Sequence, residues 1–238
     1  MRVVSLAPSA TATVSALGGS DRLVGVTHHD EVDDVPAVGG WLNPEYERVA
    51  DLDPDVVLTS DALQREVRDE LRERGFGVAH REPATLEDVL ASFSAIGEVV
   101  GLPDAGERLE AAARDRVESV REQSPDDGPV VYCEEWSDPP MAAGNWVPDV
   151  VAAAGGQYPF VDAGDRSTEI TAGDVEAADP DHVVVHVCGK GDRVDPDFEG
   201  RGWHLDATVH VVDDSLLNQP SPRLLDGLEL LADRLHGE

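Results

Sequence analysis

Short, mostly apolar runs alternate with segments of helical spacing along the whole chain. A strand that is buried on both faces reads as a continuous apolar run, so each run predicts a strand of a parallel sheet. Between the runs, apolar residues recur every three or four positions, as from Leu86 to Val100, which predicts amphipathic helices. The predicted strands are residues 3–6, 23–26, 56–59, 76–79, 130–133, 183–187 and 209–212. This alternation indicates an α/β fold.

The same order of elements occurs twice. The triplet at residues 53–55, Asp-Pro-Asp, returns 126 residues later at 179–181, and each copy follows a strand and a helix that ends at a Gly-Gly pair. The repeat predicts two related α/β lobes, residues 1–84 and residues 125–238, connected by a mostly polar helical stretch, residues 85–124. Two lobes also predict a ligand cleft between them.

The chain is strongly acidic, with 49 acidic and 18 basic residues and a formal net charge of −31. This charge repels nucleic acid and anionic membrane surfaces and excludes them as partners. The acidic residues are spread along the chain, which favours a halophilic protein that its surface carboxylates keep hydrated at high salt.

The sequence predicts neither a membrane span nor an export signal. No stretch reaches the roughly 18 apolar residues that a span requires, and Pro8 interrupts the first apolar run too early for a signal-peptide core. We expect a monomer that is cytoplasmic as the sequence stands, or extracellular and membrane-associated if an export signal was removed. Two cysteines, Cys133 and Cys188, do not make a disulfide framework.

Several motifs, taken in order, resemble one class of binding proteins. They are residues 2–9 (Arg-Val-Val-Ser-Leu-Ala-Pro-Ser), the Asp-Pro-Asp repeat, Pro139-Pro140 followed by Gly155-Gly156, and Ser221-Pro222-Arg223. The chain resembles the helical-backbone (class III) periplasmic-type solute-binding proteins of ABC transporters for cobalamin, siderophores and haem. Residues 38–54, which include Trp41, are most similar to cobalamin (vitamin B12)-binding proteins.

This resemblance implies two Rossmann-like α/β lobes joined by one long rigid helix. It also implies a ligand held between the lobes by loops at the carboxyl ends of strands, where open parallel sheets bind ligands. Carriers of this class present one glutamate per lobe to arginines of an ABC permease. The matching stretches here are residues 64–66, where Glu66 is the candidate docking residue, and residues 217–219, where Asn218 carries no charge.

Three tryptophans fall in or beside loops at predicted strand ends: Trp41, Trp136 and Trp146. Flat apolar rings at that position would stack on a planar ligand such as a corrin or porphyrin; alternatively, each covers the edge of its own core. The predicted helix starts at Pro8-Ser9-Ala10 and Gly144-Asn145-Trp146 would offer free N–H groups to amide or phosphate oxygens of a ligand. Alternatively, Ser9 and Asn145 simply cap these helices. Arg223 is a candidate for a ligand carboxylate or for an ion pair within the protein. The predicted ligand-binding residues are Pro8, Ser9, His28, His29, Trp41, Glu134, Trp136, Asn145, Trp146 and Arg223.

A metal site is a further hypothesis. His28 and His29 follow the second strand, and an imidazole there suits the cobalt or iron of a bound chelate, although a surface histidine with no metal role is the alternative. Cys133 and Cys188 follow buried strands, and thiolates with Glu134 would form a soft-metal site unless the cysteines are apolar filler. The candidate metal ligands are therefore His28, His29, Cys133 and Cys188.

The sequence contains no nucleophile elbow, no phosphate-binding Gly-Lys-Ser loop and no dinucleotide fingerprint. The leading interpretation is therefore a protein that is not an enzyme and that binds a large metal chelate, with cobalamin as the favoured ligand. It would serve as the solute-binding component of an ABC-type uptake system or be an intracellular relative of such a component. No cofactor is expected to be required. The alternatives are an iron–siderophore or haem binding protein and, in another class, a transition-metal enzyme using His, Cys and Glu at the cleft.

Overall fold

The computed structural model describes residues 1–30, 32–125 and 127–237. The chain divides into two compact units. Unit 1 contains Met1–Pro83 and Asp88–Ala112, and unit 2 contains Ala84–Glu87 and Ala113–Glu238. The predicted α/β fold with two lobes is confirmed, whereas the predicted boundaries and the cleft stay predictions.

Unit 1 is built on a four-stranded parallel sheet with the order β2-β1-β3-β4. Its first elements are β1 (Val3–Ser5), α1 (Pro8–Ala16), β2 (Leu23–Gly25), α2 (Tyr46–Asp51), β3 (Val56–Ser60), α3 (Arg65–Glu73) and β4 (Val78–Arg81). Apolar side chains cover both faces of this sheet. Val3 and Leu58 face a cluster that includes Val14 and Ile96, whereas Val4 and Val57 face Val49 and Leu71. Burial on both faces explains why its central strands read as continuous apolar runs.

Residues 85–124, the predicted connection, contain two helices, α4 (Leu86–Val99) and α5 (Pro103–Gln123). The break lies where the sequence Gly101-Leu102-Pro103 predicts it, and Gly101 has a left-handed φ of 73°. None of the described helices is both long enough and apolar enough to cross a membrane.

Unit 2 contains a mixed five-stranded sheet with the order β7-β6-β5-β8-β9. Its elements are β5 (Val131–Ser137), β6 (Pro140–Ala142), α6 (Val147–Ala153), β7 (Thr168–Glu169), α7 (Ala172–Ala178), β8 (His182–Val185), β9 (Thr208–Val211) and α8 (Arg223–His236). Strands β5, β8 and β9 are parallel, and β6 and β7 add antiparallel pairs at one edge.

The antiparallel edge of unit 2 is absent from the sequence prediction, which places residues 134–141 in a loop. Strand β5 instead extends to Ser137 and turns into β6, which begins at Pro140. Charged residues and two prolines hide this hairpin from the sequence pattern. Pro140 is tolerated there because it is the first residue of its strand. Strand β4 begins two residues later than predicted, at Val78.

The Asp-Pro-Asp repeat has the same structural role in both units. Asp53 and Asp179 adopt left-handed φ values of 42° and 47° and follow helices α2 and α7. The second aspartate of each triplet, Asp55 or Asp181, accepts a hydrogen bond from the residue just before the first strand of its unit. Asp55 Oδ2 accepts a hydrogen bond from the Arg2 amide at 2.6 Å, and Asp181 Oδ2 accepts one from the Val130 amide at 2.8 Å. The repeat therefore sets the start of the central strand pair in each sheet.

Candidate functional site

The candidate site residues of each unit lie mainly at the carboxyl ends of its parallel strands. In unit 1 these are the segments that follow β1, β2 and β3, and in unit 2 the segments that follow β5, β8 and β9. Parallel sheets bind ligands at this edge because the chain leaves each strand there with loop residues and helix starts.

A buried glutamine organises this edge of unit 1. Gln64 has no exposed surface, and its Oε1 accepts a hydrogen bond from the Ser60 amide at 2.7 Å. Its Nε2 donates to the carbonyl of Leu6 at 2.8 Å and to the carbonyl of Trp41 at 2.7 Å. One carboxamide thus links the ends of β1 and β3 to the segment that follows β2.

Trp41 lies at the tip of a tight turn, and its side chain is half-buried. The Gly40 amide donates to the Asn43 carbonyl, which closes the turn. Gly39, with a φ of 112°, lies at its base, where a Cβ would meet the Glu45 nitrogen at 2.6 Å and the Pro44 Cα at 2.7 Å. Only glycine fits at that position, so the sequence specifies the turn that presents Trp41.

His28 and His29 are both exposed on a turn after β2. Asp30 Oδ2 accepts hydrogen bonds from the amide of Thr27 at 2.9 Å and from its hydroxyl at 2.6 Å, and the Thr27 hydroxyl oxygen accepts one from the His29 amide. This arrangement fixes the backbone of the turn and leaves both imidazoles accessible.

Pro8 and Ser9 begin α1, but Ser9 does not cap it. The N-cap is Ala7, and its side chain makes no capping bond. Ser9 is 7% exposed, and its carbonyl accepts a hydrogen bond from the Thr13 hydroxyl. The sequence therefore locates the start of this helix correctly, and the role of its N–H groups in ligand binding stays a prediction.

In unit 2, Glu134 is 1% exposed and lies within a network of donors. Arg201 Nη2 is 3.0 Å from Oε2, and the Ser137 hydroxyl donates to Oε1 at 2.7 Å. The guanidinium of Arg201 also lies 4.5 Å from the ring centroid of Phe198 and 4.8 Å from that of Trp203. The buried carboxylate is thus paired and hydrogen-bonded, as a charge at such a position must be.

This network changes the expected role of Glu134. Tyr132 donates to Glu134 Oε2 at 3.3 Å, and burial, followed by the Glu134 charge, raises the pKa of Tyr132 well above its usual range. Tyr132 therefore keeps its proton and acts as a donor. Glu134 contacts groups of its own unit and holds the β5–β6 hairpin to the segment that contains Arg201.

Trp136 and Trp146 differ sharply in exposure. Trp136 is 45% exposed, and its Nε1 donates to the Asp138 carbonyl at 2.9 Å, which orients the ring beside the hairpin. Trp146 is 6% exposed, and its Nε1 donates to the Leu217 carbonyl at 2.7 Å. The ring of Trp136 is accessible to a ligand, whereas Trp146 packs in its own unit.

Asn145 lies just before α6 and has a left-handed φ of 53°. Its amide donates to the Asp165 carbonyl, and its carbonyl accepts from the Gly164 amide at 3.0 Å. The N-cap of α6 is Trp146, not Asn145. Asn145 therefore joins the start of this short helix to residues 164–165.

The two cysteines differ in their surroundings. Cys133 is fully buried, and burial raises its pKa well above the usual range. Cys188 is exposed, but desolvation, followed by the nearby Asp214 charge, also raises its pKa. Both shifts disfavour the thiolate that soft metals bind. Within residues 1–30, 32–125 and 127–237, no three His, Cys, Asp or Glu side chains are placed to hold a metal ion.

A buried histidine lies at the end of β8. His186 has no exposed surface, its Nδ1 is hydrogen-bonded to Asn218 Oδ1, and Asn218 Nδ2 donates to the His186 carbonyl at 2.9 Å. This geometry places the proton on Nδ1, and Nε2 is buried with no hydrogen-bond partner among the residues that the structure describes. Burial lowers the pKa of His186 to about 4, so the ring is neutral at pH 7.

The remaining two candidates are exposed. Arg223 is the first residue of α8, and its charge is one of the causes that lower the pKa of Asp213, after the hydrogen bond from Ser215. Glu66 lies in the first turn of α3. Its neighbour Arg65 donates to Glu82 at 2.8 Å, and this bond is the main cause that lowers the Glu82 pKa to about 2.

Sequence reasoning misses the buried partners of this edge. Gln64 and Asn218 appear in the sequence only within stretches considered for docking, and Arg201 gives no signal, since its partner is 67 residues away. His186 does give one: it interrupts a run of valines at residues 183–187. A histidine within a buried strand must find a polar partner.

Comparison with known proteins supplies independent observations. The profile of the periplasmic binding protein family matches residues 3–202. The vitamin B12-binding protein of Vibrio cholerae is 25% identical over 245 residues, which cover 96% of this chain and 86% of that protein. The cobalamin-binding protein of Halobacterium salinarum is 29% identical over 257 residues, covering 99% of this chain and 69% of that protein.

The fold of this chain is also found in a solved structure. The periplasmic heme binding protein HutB of Vibrio cholerae has a TM-score of 0.84 and 19% identity to this chain, with 99% of each chain covered. At this identity the likeness concerns the fold alone.

Proposed function

Since this chain belongs to the periplasmic binding protein family, we propose that it binds cobalamin or a closely related corrinoid. The predicted membership in the class of solute-binding proteins is confirmed, and its relatives are binding proteins rather than enzymes. The general function is therefore binding of a solute of the B12, haem or siderophore type. The preference for a corrinoid is our proposal.

The observation that carries the proposal is the extent of the sequence similarity. Two relatives named for B12 or cobalamin match 96% and 99% of this chain, so the similarity includes the segments after the parallel strands of both units. Solved structures do not separate the ligand classes, because the periplasmic heme-binding protein RhuT of Roseiflexus is 23% identical with a TM-score of 0.79 and the vitamin B12 binding protein BtuF of Vibrio cholerae is 22% identical with a TM-score of 0.78. The preference for a corrinoid therefore rests on the relatives that are named for B12 or cobalamin.

The accessible side chains at the strand ends suit such a ligand. Trp136 offers 45% of its surface, Trp41 is half-exposed, and both histidines after β2 are exposed. A corrinoid is a large planar macrocycle, on which aromatic rings stack. Its rim carries amide and phosphate oxygens, which accept hydrogen bonds from groups such as the exposed guanidinium of Arg223.

The proposed role of each residue follows from its contacts. We assign direct ligand contact to Trp41, Trp136, His28, His29 and Arg223. Glu134 and Trp146, which make their hydrogen bonds within unit 2, support the edge rather than touch the ligand. An ABC permease as partner, docking through Glu66, is part of the proposal. The halophilic character of the acidic surface remains a prediction.

The test is a titration of tryptophan fluorescence with cyanocobalamin, aquocobalamin, haem and a ferric hydroxamate, in molar KCl and corrected for absorbance of the ligand. We expect saturable one-to-one quenching by the corrinoids, reduced in the Trp136→Phe variant. Val209→Thr is the matched control, because Val209 is also exposed but lies within β9 rather than after it. If haem alone quenches the fluorescence to saturation, the protein is a haem-binding protein and the corrinoid proposal is wrong.

Haem is the second candidate, and one observation favours it: an exposed imidazole is a common axial ligand of haem iron, and the turn after β2 presents two. A haem complex would show a Soret band that changes in His28→Ala or His29→Ala. If the protein were a metalloenzyme, the purified protein would carry a stoichiometric transition metal, and this metal would be lost in Cys133→Ser or Cys188→Ser. Metal-free protein that binds a corrinoid would exclude it.

A further inference from the structure

Gln64 bridges three segments of unit 1 through one fully buried side chain. It accepts from the Ser60 amide and donates to the carbonyls of Leu6 and Trp41, all within 2.8 Å. A carboxamide offers an acceptor and two N–H donors in one plane, and this site uses all three. A buried group so fully paired is costly to replace, since each of its three partners would lose a bond.

Of these bonds, the one to the Trp41 carbonyl holds the tip of the turn at residues 39–44. The Gly40 amide closes the turn on the Asn43 carbonyl, and two further backbone bonds lie at its base, from the His28 amide to the Gly39 carbonyl and from the Glu45 amide to the Val38 carbonyl. The bond from Gln64 instead joins the tip to the ends of β1 and β3. The position of Trp41 relative to the sheet therefore depends on a residue 23 positions away in sequence.

A leucine beside each end of this bond is exposed. Leu42, beside Trp41, is 50% exposed, and Leu63, beside Gln64, is 52% exposed. Leu63 is fixed in turn by its amide, which donates to Asp61 Oδ1 at 2.7 Å. Two exposed leucines and a half-exposed tryptophan are thus adjacent in sequence to the bonds of one buried amide, at the edge that carries the candidate site.

We propose that Gln64 is a positioning residue that fixes Trp41, Leu42 and Leu63 as one apolar surface for the ring of the bound solute. This inference rests on the proposed function for its ligand. Gln64 does not touch the solute, since its side chain has no exposed surface. It acts by keeping the Trp41 turn in one place before the ligand arrives, which lowers the ordering cost of binding.

The experiment compares Gln64→Met, which keeps the length of the side chain and removes its hydrogen bonds, with the wild type. Gln123→Met is the matched control, because Gln123 is exposed and its side chain donates to Ser119 within its own helix. Hydrogen exchange of the amides in residues 38–45 is measured in molar KCl. We expect it to accelerate about tenfold or more in Gln64→Met, with exchange in β8 unchanged, and to stay constant in Gln123→Met.

Affinity for cyanocobalamin is then measured in a double-mutant cycle with Trp41→Ala. Gln64→Met should weaken binding about tenfold when Trp41 is present and less than about twofold in the Trp41→Ala background. A merely structural role would give the same factor in both backgrounds. Exchange that does not accelerate in the turn, or equal affinities of wild type and Gln64→Met, would overturn the inference.

Failure of the proposed function would give a different result. A wild-type protein that binds none of the corrinoids would exclude a corrinoid as the ligand, and hydrogen exchange alone would then decide whether Gln64 holds the turn. If Gln64→Met does not fold, Gly39→Ala replaces it. A Cβ there collides with backbone atoms of residues 43–45 and displaces the turn with Gln64 intact. Unchanged corrinoid affinity in Gly39→Ala would overturn the inference as well.

Discussion

Arg201 holds the buried carboxylate of Glu134 with an N–O distance of 3.0 Å, and the two residues are 67 positions apart. Removal of Arg201 leaves the buried charge of Glu134 without its cation, and two neutral hydroxyls, those of Ser137 and Tyr132, remain as donors. We expect Arg201→Met to lower the free energy of unfolding by about 3 to 5 kcal/mol.

The double variant Arg201→Met/Glu134→Gln should recover much of that loss, because the unpaired charge is gone. Urea denaturation in molar KCl measures both. A loss below about 1 kcal/mol in Arg201→Met would show that the pair is dispensable, as surface pairs are.

We expect the buried His186 to make the protein less stable as the pH falls. Burial lowers its pKa from 6.5 to about 4, so the unfolded chain binds a proton more readily than the folded protein. The contribution to stability is complete above pH 6.5 and decreases as the pH falls to about 4, by about 3 kcal/mol in total.

The variant His186→Asn keeps an N–H donor for Asn218 and cannot be protonated. Denaturation at pH 7 and pH 4.5 should show a smaller pH dependence in this variant than in the wild type. His182 and His210, whose pKa values burial also lowers, are present in both proteins and cancel in the comparison. Equal pH dependence would contradict the assignment.

Substitution of Trp136 should affect mainly ligand binding, and substitution of Trp146 should affect mainly the stability of the protein. Trp136→Phe should leave the free energy of unfolding within about 1 kcal/mol, because 45% of the residue is exposed. It should weaken corrinoid binding about three- to tenfold, because the smaller phenyl ring stacks over less area.

Trp146→Phe removes the buried bond to the Leu217 carbonyl and should cost about 1 to 3 kcal/mol of stability. Its effect on affinity should be smaller than that of Trp136→Phe. Thermal unfolding and ligand titration on the same samples test both. The reverse pattern would place the ligand at Trp146.

The two Asp-Pro-Asp turns predict matched effects. Asp55→Ala and Asp181→Ala each remove a carboxylate that accepts a bond from the residue before a first strand. Each should destabilise the protein by about 1 kcal/mol, without a change in ligand affinity, since both lie at the amino ends of the strands. Denaturation curves and corrinoid titrations of both variants check this expectation. A large effect on affinity in either variant would contradict it.

The sequence predicts the parallel strands well because burial on both faces makes them continuous apolar runs, as at Val3–Ser5 and Val56–Ser60. It misses the antiparallel edge at Pro140, since charged residues and prolines obscure short strands. Among the site candidates, the sequence does not distinguish Trp136 from Trp146, because exposure depends on distant partners such as Leu217. Gln64 escapes for the same reason: its bonds reach residues 23 and 58 positions away.

The two Asp-Pro-Asp turns lie at the amino ends of β3 and β8, opposite the edge that carries the candidate site. At that edge the units differ: unit 1 uses Gln64, whereas unit 2 uses His186, Asn218 and an added hairpin. The shared turns fix where strands of each sheet start. Segments at the other edge can therefore change in sequence without altering the register of the sheet.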